Sequence, residues 1–287
     1  MKYSFMRFPE GKSKALTLSY DDGLHQDIKL SEILSQHGIK CTFNLTSGSL
    51  KGAPRLTPQE VSEYILNKGH EIALHGSQHR AEGKIRPIEG IRDILDIRLE
   101  LEREFGTIIR GMAYPDSGIS IFMNPANYET VRRYLKDLDI TYARTLGGDN
   151  DSFLLPQDWY AWMPTAHHTN PHIFEYIDKF LAIDVNAPNT YIDSRYSRLF
   201  YLWGHSYEFD RNDNWDLIEK ICDRLAFHED IWYATNTEIY DYVTAYNSLI
   251  YSADGTRVYN PTLHTIWFDT DRNLYTIHPG ETIIRPN

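Results

Sequence analysis

Cysteine is nearly absent from this sequence of 287 residues, which contains only Cys41 and Cys222. Two cysteines are too few for a disulfide framework or for a metal site built from several thiolates. A chain of this length buries enough apolar surface to fold without either device. Composition therefore indicates an ordinary globular protein, of one large domain or two small ones.

Positive charge is also scarce, since 29 Lys and Arg residues face 40 Asp and Glu residues, for a formal net charge of −11. Nucleic-acid binding normally needs a basic surface, so we expect no nucleic-acid partner. No apolar run reaches the roughly 20 residues of a membrane-spanning helix, so no membrane span is predicted. The N-terminal residues lack the pattern of a signal peptide, which predicts a cytoplasmic location. An extracellular location stays open if an export signal has been removed.

Short apolar runs alternate with helical patterns between residue 15 and about residue 245. This alternation predicts a parallel sheet, and its length favours an α/β fold, a distorted (β/α) barrel of seven or eight strands. The predicted strands are 15–20, 41–45, 71–74, 108–113, 140–143, 162–165, 199–203 and 231–234. The predicted helices are 26–37, 57–69, 88–105, 215–227 and 237–246, and two more that begin at the Asn-Pro pairs 124–125 and 170–171.

The pattern changes after residue 246. Two hairpins, 249–259 around Asp254-Gly255 and 264–278, and a last strand at 282–285 are predicted there. We therefore predict two units, a barrel over residues 1–246 and a small all-β appendage over residues 247–287.

Two clusters of polar side chains follow predicted strands. Asp21 and Asp22 end the first strand, and His75 and His79 follow the third. Two histidines four residues apart have a spacing that suits zinc. In barrels of this kind the functional groups gather at the carboxyl ends of the strands. Asp22, His75 and His79 are therefore predicted to form a metal site of two histidines and one carboxylate.

Two further clusters lie at other strand ends. Tyr114-Pro115-Asp116 follows the fourth predicted strand, and Trp203-Gly204-His205 follows the seventh. A histidine placed at a strand end can donate a proton to a leaving group.

The order of these motifs resembles the polysaccharide deacetylase family, carbohydrate-esterase family four. Its Thr-Phe-Asp-Asp-Gly motif is similar to residues 19–23, its His-Ser/Thr-x-x-His motif to residues 75–79, and its Leu-x-His motif to residues 202–205, with one extra residue. Its Arg-Pro-Pro-Tyr-Gly motif is met only by a degraded version at residues 113–118. The resemblance covers residues 15 to about 245.

The resemblance implies a hydrolase that removes acetyl groups from N-acetylated sugars with one divalent metal, zinc by expectation and otherwise cobalt, nickel or iron. Asp21 would be the general base and His205 the general acid. Asp22, His75 and His79 would bind the metal, and the backbone N–H of Asp116 would help to bind the oxyanion.

Two departures from the family pattern affect supporting residues. Gly76 replaces the Ser or Thr that braces the metal loop, so Ser77 or another group must do so. The arginine that pairs with the base is missing at Ala113, and Arg144 is the first candidate to replace it, with Arg110 as the weaker one.

Substrate contacts are predicted from the remaining side chains near the strand ends, namely Tyr114, Pro115, Trp203 and His168. Adjacent histidines point apart in an extended chain, so His167 and His168 are not expected to bind one ion together. Asp158 resembles a family residue that braces the general acid, although packing explains it equally well.

Two alternatives stay open. The substrate could be a small amide or an O-acetyl ester, because the third motif is degraded. The chain could instead be a catalytically silent carbohydrate-binding protein, in keeping with its twenty tyrosines and six tryptophans. A carbohydrate is the expected partner, and the sequence does not specify an oligomeric state.

Overall fold

A parallel sheet lies at the centre of the fold. The structure is a computed structural model that describes residues 3–47, 52, 54–123, 125–146, 149–188, 191 and 194–285. Within these residues the sheet has eight strands, ordered β6-β5-β4-β3-β2-β8-β7, with β9 also paired to β2. The strands are β2 (Lys14–Asp21), β3 (Cys41–Leu45), β4 (Glu71–Leu74), β5 (Gly111–Ala113), β6 (Tyr142–Arg144), β7 (Ala166–His167), β8 (Arg198–Gly204) and β9 (Ile231–Tyr233).

The two edges of this sheet approach each other. Arg144 of β6 forms a parallel bridge with Trp162, and the chain continues from Trp162 into β7. This closure confirms the predicted distorted (β/α) barrel. The strand predicted at 162–165 begins later, at Ala166, because the preceding residues make only single bridging contacts with their neighbours.

Helices follow most of the strands. They are α1 (Gln26–Gln36), α2 (Pro58–Glu60), α3 (Pro87–Phe105), α4 (Tyr128–Asp137), α5 (Ile173–Leu181), α6 (Tyr207–Arg211), α7 (Trp215–Leu225) and α8 (Asn236–Asn247). None of those in the described part of the chain is long and apolar enough to cross a lipid bilayer.

Two predicted helix starts require correction. The helix placed at residues 124–125 begins at Tyr128, because Asn127 caps it by accepting from the Thr130 N–H; Asn124 lies outside the described residues. The helix placed at 170–171 begins at Ile173, after a turn. The short helix α6, directly after His205, was not predicted at all.

Two small antiparallel sheets pack against the barrel. Their orders are β1-β12-β13 and β10-β11-β14, and both predicted hairpins are present. The strands are β1 (Ser4–Arg7), β10 (Ile250–Tyr251), β11 (Arg257–Tyr259), β12 (Ile266–Thr270), β13 (Asn273–Ile277) and β14 (Thr282–Ile284).

Strand β1 comes from the other end of the chain and was missed in the sequence, where no strand was expected before residue 15. It pairs with β12, and one hydrophobic cluster joins Met6 and Phe8 to Leu199 of the barrel and Phe268 of the appendage. The proposed division at residues 246 and 247 stays a prediction, but the two parts share this core.

The register of the central strands brings the predicted polar clusters to one rim. All eight residues of β2 are buried, and Asp21 at its end pairs with Asn44 of β3. Tyr20 pairs with Gly204 of β8. Because the strands are parallel, their carboxyl ends place the side chains that follow them around one opening.

Candidate active site

The structure brings Asp22, His75 and His79 together at this rim. One ligand atom from each lies within 4.8 Å of the others. Nε2 of His75 is 3.7 Å from Oδ1 of Asp22, and Nε2 of His79 is 3.4 Å from the same oxygen. These separations suit atoms that share one cation, since metal–ligand bonds of about 2.0–2.2 Å place neighbouring ligands at such distances.

His75 is oriented by its other ring nitrogen. Nδ1 donates a hydrogen bond of 2.9 Å to the carbonyl oxygen of Ala113, so Nε2 faces Asp22 as the basic nitrogen. Burial lowers the pKa of His75 and outweighs the attraction of Asp21 and Asp22. The ring is therefore neutral at neutral pH, the state that binds metal.

Asp22 is held as a carboxylate. Burial opposes its ionisation, but the hydrogen bond from His79 helps to lower the pKa of Asp22 to about 2. One ionised carboxylate and two imidazole nitrogens form the donor set that zinc and related divalent metals accept. The residues present thus fit the metal that the sequence predicts.

The metal loop is braced by Asp93 of α3. Its side chain accepts a 2.6 Å hydrogen bond from the Gln78 N–H, and its backbone carbonyl accepts from the Ser77 N–H. A Cβ on Gly76, whose φ is +70°, would lie 2.6 Å from the Asp93 carboxylate. Asp93 is therefore the alternative brace, while the Ser77 hydroxyl contacts Ser47.

Asp21 forms a buried ion pair with Arg144. Nη2 of Arg144 lies 2.5 Å from Oδ2 of Asp21, and neither side chain is exposed. Arg110, the weaker candidate for this pairing, contacts Asp241 instead. Burial raises the pKa of Asp21, but the charge of Arg144 above all, together with that of His205, lowers it below the usual value. Asp21 is therefore ionised and can accept a proton.

Asn44 is a site residue that the sequence reasoning missed. Its amide donates to Oδ1 of Asp21 at 2.8 Å and to the hydroxyl of Ser19 at 2.7 Å. Both carboxylate oxygens of Asp21 are thus hydrogen-bonded. In the sequence, the signal that could have identified Asn44 is its polar side chain in the apolar run Phe43-Asn44-Leu45.

His205 faces Asp21 from the end of β8. Its Nε2 lies 3.9 Å from Oδ2 of Asp21, and its Nδ1 lies 3.4 Å from Oε1 of Glu208. Burial lowers the pKa of His205, but the contact with Glu208 and the charge of Asp21 together raise it above the usual value. A raised pKa favours the protonated imidazolium, the form that a general acid requires.

Asp158 does not brace His205. Its carboxylate accepts from the Tyr128 hydroxyl and from the Tyr160 N–H, so it caps a helical turn. The acidic contact of His205 is Glu208 on α6, a residue that the sequence analysis did not single out.

His168 requires a correction as a substrate contact. Its side chain is fully buried beneath Gly204, with its ring between Phe209 and Tyr20 at centroid distances of 4.3 and 5.7 Å. The ring of His167 is the partly exposed one of the pair. The expectation that the two rings point apart was wrong, because both Nε2 atoms approach Oε2 of Glu208, at 3.3 and 3.1 Å.

Gly204 is required by this arrangement. A Cβ at residue 204 would lie 1.9 Å from Nδ1 of His168. We expect Gly204→Ala to displace the His168 ring and to cost about 1–3 kcal/mol of unfolding free energy, as overpacking does. Urea denaturation measures this loss. Gly106→Ala is a comparison without a clash, because no atom lies within 4 Å of a Cβ there, and its own loss reports only the strain of alanine at a φ of +63°. Equal stability of Gly204→Ala and the wild type would contradict the packing.

Two of the remaining predicted substrate contacts also need correction. Tyr114 is fully buried, and its hydroxyl donates to the Tyr160 carbonyl. Pro115 is buried against Gly76. Both side chains therefore build the wall of the site rather than contact substrate.

Trp203 lies beside the Asp21–Arg144 pair, and the role of Asp116 stays a prediction. The guanidinium carbon of Arg144 lies 4.4 Å from the Trp203 ring centroid, and the ring also contacts His205. The side chain of Asp116 is exposed and pairs with Lys84. Asp116 has a φ of +50°, and its N–H has no protein acceptor among the described residues.

Comparison with known proteins agrees with this geometry. The polysaccharide deacetylase family matches residues 9–143, the part that carries Asp21, Asp22, His75 and His79. Residues 9–143 are therefore similar to a polysaccharide deacetylase domain. No curated protein sequence matches the chain.

The chain is also similar to solved structures, and the first of those that follow shows the same fold. A polysaccharide deacetylase named as putative in its description, from Mycobacterium smegmatis, has a TM-score of 0.57 at 18% identity, covering 86% of this chain and 96% of that one. The Bacillus anthracis protein BA3943, described as a CE4 family pseudoenzyme, has a TM-score of 0.48 at 16% identity, over 83% and 68% of the chains. The Streptococcus pyogenes deacetylase PplD has a TM-score of 0.41 at 18% identity, over 46% of this chain and 55% of that one.

Proposed function

We propose that this protein is a metal-dependent hydrolase that removes acetyl groups from N-acetylated sugars or polysaccharides. The observation that supports it most is the grouping of a complete donor set, Asp22, His75 and His79, beside the ionised Asp21 and the general-acid candidate His205. The match to the polysaccharide deacetylase family supports the same reaction class.

Asp22, His75 and His79 would hold the cation. When bound, a divalent cation supplies Lewis acidity, which polarises an acetyl carbonyl and makes water more acidic. We take zinc as the first candidate, because two imidazole nitrogens with one carboxylate suit it, and cobalt, nickel or iron as the others.

Two residues of this chain, Asp21 and His205, would carry out the proton transfers. Asp21 takes a proton from water as the water oxygen bonds to the acetyl carbon and the carbonyl electron pair moves to oxygen. The N–H of Asp116 would donate to that oxygen. As the carbon–nitrogen bond breaks, its electron pair stays on nitrogen, which takes a proton from Nε2 of His205. The products are acetate and the free amine.

Metal removal tests the dependence directly. We expect about one metal ion per chain and acetate release that disappears with a chelator and returns with added zinc or cobalt. Losing a group that only supports a metal ligand weakens metal binding by up to about 100-fold. His79→Gln removes a ligand itself, so it should weaken metal binding by more than that. Metal analysis and acetate assays on chito-oligosaccharides measure both effects. His172→Gln, an exposed histidine paired with Glu175, is the matched control.

The same assay decides among the substrates. Activity on small amides or O-acetyl esters without activity on N-acetylated oligosaccharides would replace the sugar amide as substrate. Sugar binding without acetate release at full metal occupancy would show a silent carbohydrate-binding protein and contradict the proposal.

A further inference from the structure

Glu208 lies among three histidines next to the site. Its Oε1 is 3.4 Å from Nδ1 of His205, and its Oε2 is 3.1 Å from Nε2 of His168 and 3.3 Å from Nε2 of His167. The carboxylate is almost buried, and α6, which carries it, begins two residues after His205. No motif in the sequence assigns a role to this cluster.

His168 anchors the carboxylate from below. Phe209 and Tyr20 enclose its ring, and the missing side chain of Gly204 makes room for it. A fully buried imidazole with such restricted freedom fixes the position of the one charged group that it approaches. Glu208 is therefore held on one side by a rigid partner and faces His205 on the other.

The charges agree with this arrangement. Burial opposes ionisation of Glu208, but the contacts with His168 and His205 lower its pKa well below the usual range. Burial lowers the pKa of His167 to about 4, and burial also lowers that of His168. Glu208 is thus an anion beside two neutral histidines, His167 and His168, and its cationic neighbours are Arg211 and His205.

A second metal ion is the competing explanation, since His167, His168 and Glu208 could also hold a cation. An ion there would need further ligands, but aromatic rings surround the cluster: Tyr20 and Phe209 at His168, and Trp203 at His167. These rings offer no oxygen or nitrogen ligand except the Tyr20 hydroxyl, so the observations favour a carboxylate that orients His205.

We propose that Glu208, fixed in place by His168, is the positioning residue that directs the proton of His205 toward the leaving nitrogen. This inference rests on the proposed deacetylase function and assigns the support of its general acid to α6. The contact between Glu208 and Nδ1 of His205 holds the imidazole ring so that Nε2 faces Asp21, where the carbon–nitrogen bond would break.

The expected defect depends on the leaving group. An amine leaves only after it accepts a proton, whereas a nitrophenolate leaves as a stable anion without one. Glu208→Gln is expected to lower kcat on N-acetylated oligosaccharides by about 10- to 100-fold, the usual range for losing a group that orients a functional residue. The rate on 4-nitrophenyl acetate should stay nearly unchanged, as should KM and metal content.

Two further variants complete the experiment. His168→Phe keeps an aromatic ring between Tyr20 and Phe209 but removes both nitrogens, and it should give the same selective defect in weaker form. Glu175→Gln is the matched control, because Glu175 also pairs with a histidine three residues away but on the exposed face of α5. It should behave as the wild type on both substrates.

Three outcomes separate the possibilities. Equal losses of Glu208→Gln on both substrates would overturn the positioning role in favour of a general structural one. Loss of one of two metal equivalents in Glu208→Gln would overturn it in favour of a second metal site. A wild-type protein that releases no acetate from any N-acetylated sugar would refute the proposed function itself, which the wild-type assay reports independently of the variants.

Discussion

Asp21→Asn is expected to reduce acetate release by about 10²- to 10⁴-fold, the range attributed to a general base. Asparagine has nearly the shape of aspartate, but its amide cannot take the proton from water. The ligand atoms of Asp22, His75 and His79 are unchanged, so the variant should bind its metal as the wild type does. Acetate release measured beside metal content distinguishes loss of the base from loss of the cation.

The control for Asp21→Asn is Asp241→Asn. Asp241 also pairs with an arginine, Arg110, at 2.7 Å, but this pair lies outside the site. We expect the control to retain full activity. An Asp21→Asn protein with wild-type turnover would remove Asp21 from the mechanism.

Arg144→Met is expected to have the largest effect on stability. Removing one partner of a fully buried ion pair leaves the other charge uncompensated, which costs about 3–5 kcal/mol. The variant also loses the cation next to Trp203. Denaturant unfolding at neutral pH measures the loss, and Arg110→Met, which breaks a partly exposed pair, should cost much less.

The pH dependence of this loss has a defined sign. In the wild type the pKa of Asp21 lies below its unfolded value, so its contribution to stability is present above that value and disappears as the pH falls through the folded pKa. Without Arg144, burial would raise the pKa of Asp21 instead, and its protonated form would be tolerated. The deficit of Arg144→Met should therefore shrink as the pH is lowered toward 4. A deficit that is constant with pH would show that lost packing, not charge, causes it.

The parts of the site that were predictable share one property. Each lies at the end of an apolar strand: Asp21, Asp22, His75 and His205. Because parallel strands end at one rim, identifying the strand ends was enough to predict that these side chains lie together. Arg144 was found in the same way, as the polar residue that ends β6.

The supporting residues were not predictable from that rule. Asn44 lies within β3, Asp93 on the second turn of α3, and Glu208 on a short helix that follows a strand end. Their contacts depend on strand register and on the angle at which each helix packs, and neither is contained in a local pattern. Tyr114 and His168, predicted to contact substrate, are buried, because adjacency to a motif does not say on which side of the backbone a side chain lies.

Strand β1 has a consequence for how the protein folds. Ser4–Arg7 pairs with Trp267–Thr270, so a strand that is synthesised before the barrel must wait for one that is synthesised after it. Contacts between residues so far apart in the sequence form slowly, because closing the large loop between them costs conformational entropy before the contacts can stabilise the fold. During synthesis Met6 and Phe8 would remain uncovered until the appendage arrives, a period in which a chaperone could bind them.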